Sequence, residues 1–322
     1  MPATITHAFF AKDVYDILPN AIREQCDLDR CKMFGQSVDS LMFYRLFSIL
    51  PGKDIRRFQK YFHNHQTQEF FLEVLHYMKE NSIQDKDTIS FLIGFICHFA
   101  LDSTVHPFVY YKTGNFIKHN PSTYKYNNVH AFMESFIDND MIQRRENTNP
   151  YKFPIGSYCF QLEPFSYGLN QTIQNSFDKV FHLSNMDQIY YQSLKQMKRA
   201  LVLFRRDPYG IKKFFYRLMD TFTPKGCFRF EAVSYHYPLE DRHNFLNSNH
   251  SLWRHPASYD TTSEESFVDL YLKAIKKAKT MICSSMDYLN GKNVDLEKVF
   301  PNNSYVTGMD CESKKELRYF DF

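Results

Sequence analysis

The sequence is poor in glycine, with only 10 among its 322 residues, about half the usual share. It contains neither the G-x-G-x-x-G pattern of dinucleotide-binding folds nor the G-x-x-x-x-G-K-[ST] pattern of P-loop proteins. The 39 Lys and Arg residues nearly balance the 36 Asp and Glu residues, which leaves a net charge of +3. This excess is too small to indicate a polyanionic partner. Composition therefore argues against the common nucleotide-binding folds and does not favour a nucleic-acid partner.

The cysteines and the first residues of the chain carry no pattern of disulfide pairing or of a secretion signal. Its 7 cysteines are scattered and form no C-x-x-C, which is typical of reduced thiols. The first residues contain no basic stretch followed by an apolar run, so we expect no signal peptide and a cytoplasmic location. The longest apolar stretch, 89–101, is shorter than the roughly 18 residues that a membrane span requires. We therefore expect no transmembrane segment.

Aromatic residues are abundant, with 32 Phe and 22 Tyr, and apolar residues make up 43% of the chain, which excludes disorder as the main state. Apolar residues recur at spacings of three and four, with few alternating runs, and this predicts an all-α fold. The predicted helices are Ala8–Leu18, Val38–Leu50, Thr67–Asn81, Thr88–Asp102, Asn128–Asp138, Met186–Arg206 and Ser263–Asn290.

The helix predicted at 88–102 is apolar on nearly every side, so we expect it to lie at the centre of a multi-helix bundle. We predict a helical core over 1–222 and a C-terminal loop and helical extension over 223–322 that packs on it. The last helix has a predicted capping box formed by Thr262 and Glu265. The aperiodic stretch 235–262 is a predicted long loop, and such loops often cover binding sites. Its candidate covering residues are His250, Trp253, His255 and Pro256.

Polar residues interrupt the central helix at a regular spacing. His98 and Asp102 are four residues apart, so they lie on one face with their Cβ atoms about 5–6 Å apart. His106 follows after another four residues, beyond a helix end predicted at Ser103-Thr104. Imidazole and carboxylate groups are ligands of zinc in hydrolytic sites. The alternative is a core histidine that hydrogen-bonds to a nearby aspartate.

A second pair with the same spacing, His130 and Glu134, lies on the next predicted helix. Alone it could be a solvated surface pair, but two such pairs favour a shared metal site. Asp39, His63 and His7 precede or begin other helices, where each could instead be a cap or loop residue.

These segments resemble the superfamily of zinc-dependent phospholipase C and P1-type nucleases, in particular its bacterial phospholipase-C-like branch without secretion signals. The resemblance covers roughly the first 140 residues. It rests on T-H-A-F-F at His7, F-G-Q-S-V-D-S-L-M-F-Y at Asp39, F-H-N-H-Q-T at His63, G-F-I-C-H-F-A-L-D-S-T-V-H-P from Gly94 to Pro107, and H-A-F-M-E at His130.

The resemblance implies an all-helical domain that holds two or three zinc ions and hydrolyses phosphodiesters. It implies one set of ligands from His98, Asp102, His63 and Asp39. It implies a second set from His106, His130 and Glu134, and a third position that His7 shares with Asp102. The match to the family pattern favours His63 over His65 as the ligand. In secreted members the mature amino terminus binds one zinc; since we expect no signal peptide here, we expect no such ligand.

The expected function is zinc-dependent hydrolysis of a phosphodiester, with phospholipid as the leading substrate class. Asp39 is the candidate catalytic residue, as ligand, general base or water orienter. A nuclease of the same superfamily and a non-catalytic metal-binding scaffold are the alternatives. A basic region that includes Lys212, Lys213 and Arg217 is predicted to be a solvated helix face, and contact with anionic lipid or nucleic acid is the alternative. Aromatic runs such as Phe214-Phe215-Tyr216 are predicted to be mostly core.

Overall fold

The computed structural model describes residues 4–321 except 49–54, 206, 208, 225–226, 228 and 234–243. The described residues form α-helices joined by short 3-10 turns, with one two-stranded antiparallel sheet of β1 (Trp253–Arg254) and β2 (Thr262–Ser263). The predicted all-α fold is confirmed. The helices are α1 (Thr4–Ile17), α2 (Asn20–Arg23), α3 (Leu28–Phe34), α4 (Phe58–Phe62), α5 (Thr67–Glu80), α6 (Lys86–Thr113), α7 (Val129–Glu146), α8 (Ile155–Cys159), α9 (Tyr167–Phe181), α10 (Met186–Arg205), α11 (Ile211–Thr221), α12 (Phe267–Leu289) and α13 (Leu296–Val299). The 3-10 helices are Ser37–Phe43, Ile55–Arg57, Pro121–Tyr126, Pro150–Lys152, Glu231–Val233 and Cys311–Ser313.

Helix α6 is the central helix, as predicted, and α1, α3, α7, α9 and α12 pack around it. Asp85 caps its N-terminus by accepting hydrogen bonds from two backbone N–H groups. By length and composition α6 is long and apolar enough to cross a membrane, but 94% of its most apolar window is buried inside the protein. The helix is therefore the core around which the others assemble.

The predicted end of the central helix at Ser103-Thr104 is wrong, because α6 continues through Pro107 to Thr113. Proline lacks the N–H that would bond to the carbonyl of Ser103. Gly308, at φ +65°, packs directly against that carbonyl, and a β-carbon there would collide with it. A tight turn from the C-terminal segment thus covers the point where the helix loses its hydrogen bond. His106 consequently stays on the same helix face as Asp102, one turn further on.

Several other predicted boundaries shift. The predicted helix 38–50 is a 3-10 helix, Ser37–Phe43, and its last two residues lie outside the described ranges. Helix α7 extends past the predicted Asp138 to Glu146. The capping box of α12 is formed by Ser266 and Asp269. The predicted box at Thr262 and Glu265 is wrong, because Thr262 belongs to β2 instead.

The C-terminal third packs on the helices that precede it. Helix α12 lies along α6, and the ring of Tyr305 contacts Phe62 and Phe99. The division at residue 222 stays a prediction. Part of the predicted loop 235–262 lies outside the described residues, and the rest forms turns and the two strands.

Candidate metal centre

Asp102 lies at the middle of a buried group of imidazoles. Its Oδ1 is 3.3 Å from His7 Nε2, and its Oδ2 is 3.1 Å from His98 Nε2. The ring of His106, one helical turn beyond, also approaches Oδ2, with Nδ1 at 3.6 Å. The Asp102 side chain is only 4% exposed. The spacing of four residues along α6 therefore sets two imidazoles beside the carboxylate, and α1 adds a third.

Asp39 and His63 extend this group on one side. Asp39 Oδ2 is 3.7 Å from His98 Nε2, and Asp39 Oδ1 is 3.4 Å from His63 Nε2. The 3-10 helix 37–43 buries Asp39, and His63 is buried at the C-terminus of α4. His65, the alternative ligand, is exposed and stacks on Tyr61. The structure thus brings His63, and not His65, to the cluster.

A second group joins α6 to α7. His130 Nε2 is 3.1 Å from Glu134 Oε1, and the rings of His106 and His130 are 5.8 Å apart. Candidate ligand atoms of these three residues all lie within 4.8 Å of one another. The same limit holds for a group formed by His7, Asp39, His98 and Asp102. The eight predicted ligand residues therefore meet as two adjoining groups, with His63 attached to the first through Asp39.

The donor atoms fit a tetrahedral zinc site. Zinc bonds of about 2.0–2.1 Å in tetrahedral geometry place neighbouring donors about 3.3–3.5 Å apart. The N···O separations around Asp102 and Asp39 run from 3.1 to 3.7 Å. Moreover His63 Nε2, His98 Nε2 and Asp102 Oδ2 are buried with no hydrogen-bond partner among the described residues. Buried polar atoms of this kind are costly unless a ligand satisfies them.

Two of the histidines are held in the tautomer that suits a metal ligand. His98 Nδ1 is 2.9 Å from the carbonyl oxygen of Gly35, and His106 Nδ1 is 3.0 Å from that of Tyr305. A carbonyl oxygen only accepts, so each Nδ1 carries the proton and each Nε2 presents a lone pair. Hydrogen bonds of this type orient the metal-binding histidines of known sites.

Gly94 allows the hydrogen bond between His98 Nδ1 and the carbonyl oxygen of Gly35. A β-carbon at this position would lie 2.5 Å from the Phe34 β-carbon and 2.8 Å from the Gly35 nitrogen. Only glycine lets α6 approach the end of α3 so closely. His98 lies one turn after Gly94 and therefore reaches the Gly35 carbonyl.

The electrostatics keep the ligands in their metal-binding forms. Burial lowers the pKa of His63 to about 4, so this imidazole is neutral. Burial opposes ionisation of Asp102, but His106, His98 and His7 hold its pKa well below the usual value. Burial likewise opposes ionisation of Glu134, yet nearby positive charges, His130 among them, lower its pKa to about 2. Neutral imidazole and ionised carboxylate are the forms that bind zinc.

The pKa of His98 shifts in the opposite direction from that of His63. Burial alone would lower its pKa, but the carboxylates of Asp102 and Asp39 raise it to about 9. An imidazole lone pair that faces two buried carboxylates needs a cation between them. Either a proton or a metal ion can supply that charge.

Two residues that support the ligands were missed by the sequence reasoning. Gln59 Nε2 donates to Asp39 Oδ1 at 2.6 Å and lies 3.0 Å from His63 Nδ1. Tyr305 stacks its ring on His63 at 4.8 Å, and its backbone N–H donates to the His63 carbonyl. Gln59 precedes His63 by four residues, which is a readable signal. No comparable signal points to Tyr305, because this residue is far from His63 in the sequence.

A third missed residue, Asp138, positions the helix that carries His7. Its carboxylate accepts hydrogen bonds from Ile5 N at 3.2 Å and from Thr6 N and Oγ1 at 2.8 and 2.7 Å. These groups form the first turn of α1, so Asp138 caps that helix from α7. The spacing His130, Glu134, Asp138 continues the pattern of four and could have indicated it.

The two groups open into a cleft of about 330 Å³. Asp39, His63, His106, His130 and Glu134 line it, whereas His7, His98 and Asp102 are buried and do not line it. Its other lining residues are Met42, Gln59, Lys60, Asn64, Tyr110, Asn115, Val306 and Leu317. A separate cavity of about 30 Å³, room for one water-sized species, lies where His7, Asp102, His106 and Glu134 meet. Its lining includes His7 and Asp102, the two residues that the resemblance assigns to a third position.

The predicted covering residues do not line the cleft. The ring of Trp253 packs on Phe108, and His255 Nε2 bonds to the carbonyl of Thr307. That part of the loop prediction is wrong, because both side chains are used to fix the C-terminal segment. The predicted position of the amino terminus falls on residues 1–3, outside the described ranges.

The chain matches the model of the zinc dependent phospholipase C family over residues 6–183. This range is more than half of the chain and includes all eight predicted ligand residues. No curated protein and no solved structure matches the chain. The match and the buried imidazole–carboxylate cluster agree on the same segment, and the chain belongs to the zinc-dependent phospholipase C family.

Proposed function

We propose that this protein is a zinc-dependent phosphodiester hydrolase that acts on phospholipids. The observation that carries the proposal is the buried cluster of His and carboxylate donors that opens into a cleft of about 330 Å³. Family membership supports the same chemistry. The 7 free cysteines support the accompanying proposal of a cytoplasmic location.

The two groups of donors would hold the metal. His98, Asp102, His63 and Asp39 would form one site, and His106, His130 and Glu134 the other. When bound, zinc polarises phosphoryl oxygens and lowers the pKa of water toward neutrality. A third ion would lie beside His7 in the small cavity.

Asp39 is the residue that we assign to proton transfer. It lines the cleft, while the other central carboxylate, Asp102, is buried and does not line it. The Gln59 amide donates to Oδ1 and fixes the orientation of the carboxylate. Its position would let it orient an attacking water and accept its proton.

The remaining cleft wall suits an amphipathic substrate. Lys60 is exposed beside the ligands and would attract the anionic phosphodiester. Met42, Val306 and Leu317 supply apolar surface in the same cleft. A cleft that combines a basic group with apolar surface suits a phospholipid head group with its glycerol end.

The test is turnover of the soluble diester bis-p-nitrophenyl phosphate, followed by phospholipid in mixed micelles and single-stranded DNA. We expect hydrolysis of the diester and the phospholipid, loss on chelation and recovery with zinc. Asp39→Asn should lower turnover more than it lowers zinc content, whereas the exposed control Asp260→Asn should change neither. Cleavage of DNA but not of phospholipid would instead identify a nuclease. Zinc stabilisation without any turnover would identify a scaffold.

A further inference from the structure

Helix α11 exposes an apolar stripe that the catalytic proposal does not use. Apolar side chains recur along it at intervals of three and four, the pattern of one helix face. They point outward: Phe214 is 65% exposed and Phe222, just after the helix, is 79% exposed. The stripe consists of Ile211, Phe214, Phe215, Leu218, Met219 and Phe222. Phe214 and Phe215 are therefore exceptions to the prediction that most of the aromatic runs belong to the core.

The polar face of α11, and not its apolar face, holds the helix to the protein. Lys213 N donates to the buried Asp207, and Tyr216 donates its hydroxyl to the carbonyl of Phe204. The buried Asp220 accepts hydrogen bonds from the backbone of Phe230 and Glu231. Since these bonds fix the rotation of the helix, the outward direction of the stripe is built into the fold. An ordinary surface helix has the opposite orientation.

Positive charge accompanies the stripe. Lys212, Lys213 and Arg217 lie on α11, whose one acidic residue, Asp220, faces inward. Arg217 is paired with Glu231 of the neighbouring 3-10 helix, which offsets the charge of that side chain. Lys212 is held beside the stripe by a hydrogen bond to the carbonyl of Leu203. An amphipathic helix with basic residues beside exposed Phe, Leu and Ile is the form that lies in the interface of an anionic membrane.

The stripe is connected to both walls of the cleft. On one side the 3-10 helix 231–233 packs between α11 and α7, where Ser135 donates to the carbonyl of Ala232. On the other side Phe204 stacks on Phe47, whose ring is 46% exposed. Phe47 follows the segment that carries Asp39. Packing contacts thus link α11 to the elements that carry His130 and Asp39, and the exposed Lys60 lines the cleft between them.

We propose that the outward face of α11 docks the protein on a bilayer that contains anionic lipid. The bilayer is favoured over a protein partner because exposed, bulky apolar side chains stand on the same helix as basic residues. A bilayer with anionic lipid offers both an apolar phase and negative charge. The inference deepens the proposed function, because it names a membrane as the place where the substrate is met.

Sedimentation with vesicles tests the docking without any turnover. The probes are vesicles of phosphatidylcholine alone and of phosphatidylcholine mixed with phosphatidylserine, in short incubations on ice. We expect the zinc-loaded protein to sediment with the mixed vesicles and to be released by high salt. Phe214→Gln with Phe222→Gln should weaken this partition by at least about tenfold, given the apolar area withdrawn. Both residues are exposed, so the fold should be retained.

A matched control replaces exposed apolar residues elsewhere. Val268 and Leu272 on α12 are 55% and 52% exposed, and their double Gln variant should bind vesicles like the parent. Both double variants should hydrolyse bis-p-nitrophenyl phosphate at the parental rate. Vesicle binding without hydrolysis would leave the docking intact and refute only the proposed function. The docking proposal would be overturned if the parent protein did not bind vesicles or if the two double variants bound them equally well. It would also be overturned if the parent were a dimer that Phe214→Gln with Phe222→Gln dissociates.

Discussion

Asp138 offers a sharp test of how the fold holds His7 in place. Its side chain is fully buried, and it accepts three hydrogen bonds from Ile5 and Thr6 in the first turn of α1. In Asp138→Ala two N–H groups and one hydroxyl lose this acceptor. Each such loss costs about 1–3 kcal/mol when the group is buried, and relaxation of the helix end recovers part of it. We estimate a total loss of about 4 kcal/mol in the free energy of unfolding.

The loss should be visible in thermal denaturation. With an unfolding entropy of about 2.1 cal/mol/K per residue, a loss of about 4 kcal/mol lowers the melting temperature of this chain by about 6 °C. Asp138→Asn should lose less, because one oxygen still accepts from Thr6 while the amide faces Ile5 N–H. The control Asp140→Ala breaks only a surface pair with Arg144, which is worth less than about 1 kcal/mol.

Removal of zinc with a chelator distinguishes a residue that caps a helix from a residue that binds the metal. Because Asp138 bonds to backbone and not to the metal position, the deficit of Asp138→Ala should persist in the zinc-free protein. If Asp138 were instead a metal ligand, the deficit in melting temperature caused by its replacement would disappear in the zinc-free protein. An unchanged melting temperature, or a deficit seen only with zinc present, would refute the capping role.

Other outcomes follow from the ligand geometry and from a buried lysine. His63→Ala should lower zinc content, whereas His65→Ala should leave it unchanged, because only His63 adjoins the buried carboxylates; the reverse result in elemental analysis would contradict the assignment. Lys277, whose Nζ bonds to Ser103 Oγ, has its pKa lowered to about 8 by burial. The folded protein therefore binds fewer protons than the unfolded chain between about pH 8 and 10.5, and stability should rise with pH across this window by at most about 3 kcal/mol. Urea denaturation of Lys277→Met should lack this rise, and parallel profiles for the two proteins would contradict the origin of the shift.

Local spacing predicted much of the site. The intervals 98, 102, 106 and 130, 134 place ligands on single helix faces whatever the tertiary fold, so the sequence alone could group them. The end of α6 was misjudged, because a proline normally stops a helix. What keeps this helix intact is the turn at Gly308, some two hundred residues later, and no local pattern reveals it.

Contacts between distant segments explain the rest. Tyr305 supports His63 and His106 from the C-terminal region, and Asp138 caps α1 from α7. Both contacts involve backbone groups of a distant segment, so the sequence does not show which segments meet, even where the spacing of four points to Asp138. The apolar period at 211–222 is visible in the sequence, but period alone does not say whether that face turns inward. Its outward direction depends on Asp207 and Asp220, whose backbone partners only the folded structure shows.

Zinc stoichiometry tests the central claim most directly. Elemental analysis of the purified protein should find two or more zinc ions per chain. Asp102→Ala should lose much of this metal, because its carboxylate lies among His7, His98 and His106, and His130→Ala should lose the ion beside Glu134. A parent protein without zinc, or an unchanged zinc content in both variants, would contradict the assignment of this cluster as the metal centre.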